Sequence, residues 1–411
     1  DGTDLMNMCN VLVNTPSGTA QAAINNVFSV DSFYRYASVM NVFTNTDSYL
    51  GSGKDHYLYH DTVYGQFHTF PFDLNEGLAG STTLSMWYNT TLSTRPGFSK
   101  TLTFADWNQR YIAHYRTIAE DILDWNVLGP IITQYHNMIN ADVLADTKKI
   151  YSYQQFLDNV TLPVTVPGGG PFGGSTTIPG LQPLITNRRA YLLGLTEFST
   201  VRATLANLTH TPTSPTPAQS VSFTVQASGA TAVNLWYHAT GGFISTPMFD
   251  DGLHGDGLAG DGVYGASLAP LPAGKVVEYY ASASNSAGRL SFWPKTAEWQ
   301  SQFFQVDWPI GSSPIKINEF VAQNNSVVQD PAGEWADYVE LYNTSSSTFN
   351  LGGMYLTDNM VNPTKFLIPA GTTISAQSTL LIWCDEDGSE GPLHANFKLS
   401  AGGEDIALFA T

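Results

Sequence analysis

The chain is poor in cysteine, in charge and in long apolar runs. Cys9 and Cys384 are the only cysteines in 411 residues. Two isolated cysteines exclude the paired spacings of zinc and haem motifs. The expectation is two buried thiols acting as small hydrophobes, with a long-range disulfide as the alternative. Charged residues make up only 13% of the chain, against the usual quarter. Lys and Arg number 17 against 35 Asp and Glu, a net charge of −18. That balance excludes nucleic acid as a partner, because phosphate binding needs a basic face. It suits divalent cations instead. No apolar stretch reaches the length of a membrane span. There is no Gly-x-Ser-x-Gly elbow, so that type of serine hydrolase is unsupported. The chain begins with Asp1 rather than Met, which is compatible with removal of an upstream segment.

What is present is 43% hydrophobic and 12% aromatic residues, enough for two to four folded domains. Asn, Thr, Ser and Gly fill the polar positions, a composition common in secreted bacterial proteins. Asn89, Asn159, Asn207, Asn324 and Asn343 each fit the N-glycosylation pattern, which an Asn/Thr-rich chain generates by chance.

The pattern divides into three parts. Residues 1–208 read as α-rich with a short β segment. Phe33, Tyr36, Ala37, Met40 and Phe43 recur at helical spacing, with Asp31 or Ser32 as the cap. Leu58–Tyr59 and Phe67–Phe72 read as strands around an Asp61–Gly65 turn. A helix is predicted over 104–123, with Ile112, Tyr115, Ile118, Ala119, Ile122 and Leu123 on its apolar face. Further helix is expected near 131–139, 153–157 and 187–192. The run Pro167-Gly168-Gly169-Gly170-Pro171-Phe172-Gly173-Gly174 reads as a loop. Thr211-Pro212-Thr213-Ser214-Pro215-Thr216-Pro217 reads as a stiff spacer between domains. Alternating segments at 221–225, 232–237 and 276–281 predict an Ig-like or fibronectin-like sandwich over 209–308. Strand-like runs at 316–322, 337–343 and 350–356 predict a second sandwich over 314–411. The fold class is therefore multidomain: α+β first, then all-β.

Two constellations of carboxylates stand out. Asp47 lies in a loop before the first strand, and Asp73 lies after the second. That layout can bring two carboxylates to the mouth of one cleft. Phosphate chemistry needs such a pair, one to orient the acceptor hydroxyl and one to hold a metal. Turn capping is the plainer role for either residue. Further on, Asp251, Asp256 and Asp261 recur every five residues, each before Gly, with Asp250 adjoining. Clustered carboxylates repel one another unless a cation sits among them, and oxygen ligands favour calcium. The expectation is calcium bound by Asp250, Asp251, Asp256 and Asp261, against a solvated turn series as the alternative. His56, His60 and His68 read as structural or surface histidines. Asp385-Glu386-Asp387 reads as a solvated acidic turn.

Asn45-Thr46-Asp47, Tyr57-Leu58-Tyr59 and Pro71-Phe72-Asp73-Leu74-Asn75 together resemble the C-terminal half of the CotH (spore coat protein H) kinase-like family. The Arg-x-x-Tyr-Leu pattern at Arg188–Leu192 resembles that family's closing helix. The resemblance implies a kinase-like C-terminal lobe over 1–208, with Asp47 as the catalytic aspartate and Asp73 as the ligand of Mg with ATP. The implied activity is phosphorylation of Ser or Thr on surface or matrix proteins. Two positions depart from the family pattern. Asp55-His56 stands where the family has Asn, and Asn75 stands where it has a second carboxylate. The residues before Asp47 do not read as a β-rich nucleotide-clamping lobe, so the 411-residue chain is expected to bind ATP poorly and to be inactive alone.

Lys316–Ala322, Asp337–Asn343 and Asn350–Leu356 resemble the lamin-tail domain in order. In that family the fold continues beyond Thr411, so this domain is expected to be truncated. The alternative function is a catalytically silent extracellular adhesion, matrix or self-assembling protein. Both readings put the protein outside the cell or on its surface.

Overall fold

The structure is a computed structural model that describes residues 2–62, 64–78, 80–166, 176–238, 242–307 and 313–410. The Gly/Pro run at 167–174 falls outside the described residues. The chain forms two compact units, 1–271 with 275–305 and 272–274 with 306–411.

The first unit opens with three helices, α1 (Thr3–Asn14), α2 (Ser17–Asn25) and α3 (Val30–Val42). α3 is buried on Phe33, Tyr34, Tyr36, Ala37 and Met40, close to the predicted face. Its cap is Ser29, whose side chain accepts from the Ser32 amide at 3.3 Å, rather than Asp31 or Ser32. Asp31 sits inside the first turn, where its charge suits the helix N-terminus. The hairpin β1 (His56–Asp61) and β2 (Gln66–Pro71) is antiparallel, with His56 opposite Pro71 and Asp61 opposite Gln66.

After the short α4 (Pro96–Ser99), the helix predicted over 104–123 is α5 (Ala105–Thr117) followed by a π-turn over Ile118–Ile122. The Leu123 amide reaches the Ile118 carbonyl at 2.9 Å, the bond that marks the wider turn. That extra residue rotates Ile122 off the core, leaving it 42% exposed while Ile118 and Leu123 stay buried. α6 (Trp125–Ala145), α7 (Tyr153–Asp158), a two-stranded ribbon of β3 (Val164–Val166) and β4 (Thr176–Ile178), and α8 (Leu181–Leu193) complete the helical part. α6 leaves Val127, Ile131, Tyr135 and Met138 exposed at helical spacing.

The same unit continues into a β-sandwich. One sheet has the order β5 (Thr204–Thr211), β6 (Val221–Ser228), β9 (Val263–Leu268). The other is built on β7 (Ala232–His238), β8 (Ile244–Met248), β10 (Val276–Ser284), β11 (Leu290–Trp293) and β12 (Gln302–Gln305). The Pro-rich run is not a spacer between domains. Thr204 pairs with Ser228 and Thr211 with Ser222, so residues 212–220 join two neighbouring strands of one sheet. The sandwich therefore starts at Thr204, inside the stretch expected to close the helical part.

The second unit contains β13 (Ile315–Val321), β14 (Asp337–Asn343), β15 (Phe349–Asn350), β16 (Tyr355–Thr357), β17 (Phe366–Leu367), β18 (Thr373–Ile374), β19 (Thr379–Cys384), β20 (His394–Ala395) and β21 (Ala407–Phe409). Its main sheet runs β13-β14-β19-β20, with β19 and β20 parallel. The run 350–356 is two short strands, not one. A Cβ on Gly352 would lie 2.7 Å from the Gly371 amide nitrogen, a backbone approach that breaks the strand there. The core is Val339, Leu341, Leu351, Leu356, Ile368, Ile382 and Phe397. Cys384 is buried in it, and burial pushes its thiol up. Cys9 is exposed on α1, contrary to the expected pair of buried thiols, and both are free. Among the described residues no helix is long and apolar enough to cross a membrane.

Candidate functional site

The loop carrying Asp47 leaves the C-terminal end of α3. That end is held by Arg188 of α8, a fully buried side chain. Its guanidinium donates to the Asn41 carbonyl at 3.0 Å, the Asn41 side-chain oxygen at 2.9 Å, the Val42 carbonyl at 3.3 Å and the Leu84 carbonyl at 2.6 Å. The carbonyls that a helix leaves unpaired at its C-terminus thus receive a cation, which also meets the negative end of the helix dipole. The Arg-x-x-Tyr-Leu motif marked this helix but gave no sign of what Arg188 would grip.

From there the loop turns tightly. A Cβ on Gly51 would collide with the Thr46 carbonyl oxygen, so the turn requires glycine. Asn89 donates to the Leu50 carbonyl at 2.9 Å, and Arg95 donates to the Gly51 carbonyl at 2.5 Å. The Tyr36 hydroxyl accepts from the Tyr49 amide at 3.3 Å and donates to the Asp55 carbonyl at 3.4 Å.

Asp47 itself faces solvent, its side chain 40% exposed. Lys54 Nζ lies 3.1 Å from its Oδ1 and 3.2 Å from its Oδ2. Ser52 Oγ donates to Oδ1 at 3.1 Å. The Lys54 ammonium, with Ser52 behind it, holds the Asp47 carboxyl below its ordinary value, and Asp47 raises Lys54 in return. Asp47 is therefore an ionised acceptor at neutral pH.

Asp73 follows the hairpin, two residues beyond the end of β2. Because His56 pairs with Pro71, residues 54–55 and 72–73 leave the hairpin at one end, and the rings of Tyr57 and Phe72 meet at 4.8 Å. Asp73 is held at φ 50° before a short 3₁₀ turn, is exposed, and makes no side-chain hydrogen bond or ion pair among the described residues. A single uncommitted carboxylate suits Mg²⁺, which takes one or two protein carboxylates and completes its shell with water and phosphate oxygens. Asn75 and Glu76, both exposed, are the nearest oxygen-bearing side chains in sequence.

A cleft of about 380 Å³ is lined by Arg35, Tyr36, His68, Phe70, Pro71 and Trp299 among others, and neither Asp47 nor Asp73 is part of its lining. Tyr36 thus belongs both to the cleft wall and to the support of the Asp47 loop. Of the three sequence histidines, His68 is part of this wall. His60 stacks on Phe67 at 4.5 Å, and His56 contacts Tyr49 at 5.5 Å.

Beneath the cleft lies a charge cluster that the sequence did not announce. Asp31 Oδ1 receives Arg110 at 2.7 Å and His114 Nε2 at 2.6 Å, and its Oδ2 lies 3.1 Å from Arg35. Arg110 also reaches Glu298 at 3.1 Å and the Tyr280 hydroxyl at 2.8 Å. The Tyr280 hydroxyl donates to Glu298 at 2.7 Å. Trp236 and Phe292 cover the guanidinium at 4.8 and 5.0 Å. Burial works against the Asp31 charge, but His114, Arg35 and Arg110 outweigh it and hold the group well below the carboxylate range. Burial, then the Asp31 charge, pushes Glu298 up to about 7. Burial also pushes His114 down, against the pull of the Asp31 charge. The cluster fastens the helical part to the sandwich within one unit, and its charges are all occupied by one another.

In the Asp-Gly loop each carboxylate is taken by backbone amides. Asp256 accepts from Asp251 and Gly252 at 2.8 Å and from His254 at 2.9 Å. Asp250 accepts from Gly260 at 2.7 Å and Gly262 at 3.0 Å, and Asp261 from Leu258 at 3.0 Å and Val263 at 2.9 Å. Asp251 accepts from Leu253 and from the His254 ring, both at 2.9 Å. The regular spacing thus serves successive turns, with left-handed Gly252, Gly257 and Gly262 between them. In the second unit, Asp385 is not a solvated turn residue; its carboxylate lies 2.6 Å from the buried His394 ring.

Comparison with known families matches residues 1–169 to the model for CotH kinase protein. Residues 200–290 match the second Ig-like domain of conditioned medium factor, and residues 310–411 match the Lamin Tail Domain. None of the curated proteins compared with the chain matches it. Among solved structures, the Kfla1895 D451A mutant matches 36% of this chain at 16% identity and a TM-score of 0.18. The same mutant in complex with isomaltose matches at 17% identity and the same TM-score. The chain spans about a fifth of the length of those structures, 20% in each case.

Proposed function

We propose that this chain, which carries a CotH kinase region, an Ig-like module and a lamin tail domain in that order, acts outside a bacterial cell and supplies the acceptor side of a phosphotransfer site. The reaction is transfer of the γ-phosphoryl group of ATP to Ser or Thr hydroxyls of surface or matrix proteins. The observation that supports this reading is the hairpin flanked by ionised Asp47 and uncommitted Asp73, whose Phe70 and Pro71 line a cleft together with Tyr36, the support of the Asp47 loop. Asp47 accepts a hydrogen bond from the incoming hydroxyl and orients it, which a loose transition state requires more than full deprotonation. Lys54 keeps Asp47 ionised and offers a positive charge beside the transferring group. Asp73 would hold Mg²⁺, which would neutralise phosphate charge when bound with ATP. The low-charge, Asn/Thr-rich composition supports a location outside the cell.

One observation favours a second reading, a catalytically silent scaffold. Lys54 spans both oxygens of Asp47, leaving that carboxylate closed in an internal pair. The exposed apolar row of α6 would then serve self-association or contact with matrix proteins. Labelled ATP with Mg²⁺ and a Ser/Thr-bearing surface protein, applied to the full-length protein, separates the two. The kinase reading expects incorporation that falls by about 10²-fold or more in Asp47→Asn and Asp73→Asn. Equal incorporation by wild type and both variants leaves the scaffold.

A further inference from the structure

The second unit brings four ligand-bearing side chains together from two loops. Asp330 comes from the connection between β13 and β14. Asp385, Glu390 and His394 come from the end of β19, the following loop and β20. One ligand atom from each lies within 4.8 Å of all the others. His394 Nδ1 stands 2.6 Å from Asp385 Oδ2 and 3.7 Å from Glu390 Oε2.

Asp330 makes this more than an acidic cluster. It is only 6% exposed, and its Oδ1 accepts the Glu334 amide at 2.7 Å. Its Oδ2 is buried and has no hydrogen-bond partner. A buried carboxylate oxygen without a donor is costly, and carboxylates in such positions pair or bind metal. The ligand atoms of Asp330 and Glu390, two carboxylate oxygens, lie within 4.8 Å of each other. Among the described residues no Lys or Arg pairs with Asp330, Asp385 or Glu390. Three carboxylates converge on one imidazole, and among the described residues that ring is the only basic side chain paired with them.

We propose that Asp330, Asp385, Glu390 and His394 bind one first-row divalent cation, with zinc or manganese as the chemical class, that clips the β13–β14 loop to the β19–β20 loop. The donor set selects the class. Imidazole nitrogen with carboxylate oxygens suits zinc and manganese, whereas calcium takes oxygen throughout. The site lies outside the Asp47 loop and the Asp-Gly loop, and the lamin tail domain that carries it is 310–411. The ion stabilises a loop pair and has no place in phosphotransfer.

Chelator-treated full chain titrated with Zn²⁺ by calorimetry, and with Mn²⁺ by loss of the free-ion electron paramagnetic resonance signal, tests this. The expected result is one equivalent bound near neutral pH, with a rise in melting temperature. Asp330→Asn and His394→Gln each weaken it by about tenfold to a hundredfold or more. Circular dichroism of the metal-free variants checks that they fold. If one of them does not fold, the remaining variant and the wild-type stoichiometry carry the test. No uptake of either ion at millimolar concentration overturns the proposal. So does uptake unchanged in both variants, or a preference for Ca²⁺ over Zn²⁺ and Mn²⁺.

Discussion

Arg110 of α5 donates to Asp31 of α3 at 2.7 Å, and both side chains are almost wholly withdrawn from solvent. The same nitrogen lies 3.1 Å from Glu298, so one guanidinium joins two helices to the sandwich. Such a pair contributes little beyond what well-packed apolar side chains would, yet losing one member leaves an uncompensated buried charge. Asp31→Ala is therefore expected to cost about 3–5 kcal/mol of unfolding free energy in urea. A loss under about 1 kcal/mol would place these groups in water-accessible surroundings instead.

Arg188 predicts a second, separable loss. Arg188→Met fills much of the same volume but leaves the Asn41, Val42 and Leu84 carbonyls without their donor. Each buried acceptor left unpaired costs about 1–3 kcal/mol. The variant should lose several kcal/mol in denaturant titration. It should also expose the Asp47 loop to proteolysis, because that loop starts where Arg188 grips.

The titratable groups of the first unit predict opposite pH trends. His238 is buried between Tyr64 and Phe243, and burial pushes it from 6.5 down to about 4. A lowered group contributes stability above its unfolded value, and that stability is lost as pH falls from 6.5 towards about 4. Glu298 is raised from 4.5 to about 7, so its contribution is present below 4.5 and is lost as pH rises through about 7. Melting temperatures across that range should show His238→Phe flattening the acid side and Glu298→Gln flattening the neutral side. Unaltered slopes in both variants would contradict the assignment.

The Asp-Gly loop offers a test of calcium. Backbone amides already occupy Asp250, Asp256 and Asp261, so the loop has an internal support that a bound cation would add to. We expect calcium added to chelated protein to raise the melting temperature of the first unit, and Asp256→Ala to lower it with or without calcium. A melting temperature indifferent to calcium leaves the amide network as the loop's sole support.

Much of the architecture was legible in the chain because it is written in local periodicity. Phe33, Tyr36 and Met40 recur at helical spacing and are buried on α3. Val221, Phe223 and Val225 alternate and are buried on β6. The hairpin between Asp47 and Asp73 was legible too, since its two apolar runs flank a turn and pair antiparallel from His56–Pro71 to Asp61–Gln66. The Pro-rich run misled, because proline stiffens an interdomain spacer and a loop between paired strands alike.

By itself the sequence determined the order of the three modules, the helix and strand faces within them, and the position of the acidic loops. These depend on neighbours a few residues apart. Only the tertiary structure decided which charges meet. Asp31 lies 79 residues from Arg110 and 267 from Glu298, and Asp330 belongs to a different loop from His394. No spacing rule spans such distances. Their partnership arises when packing removes water and each buried charge must find a counter-charge, a proton or a cation.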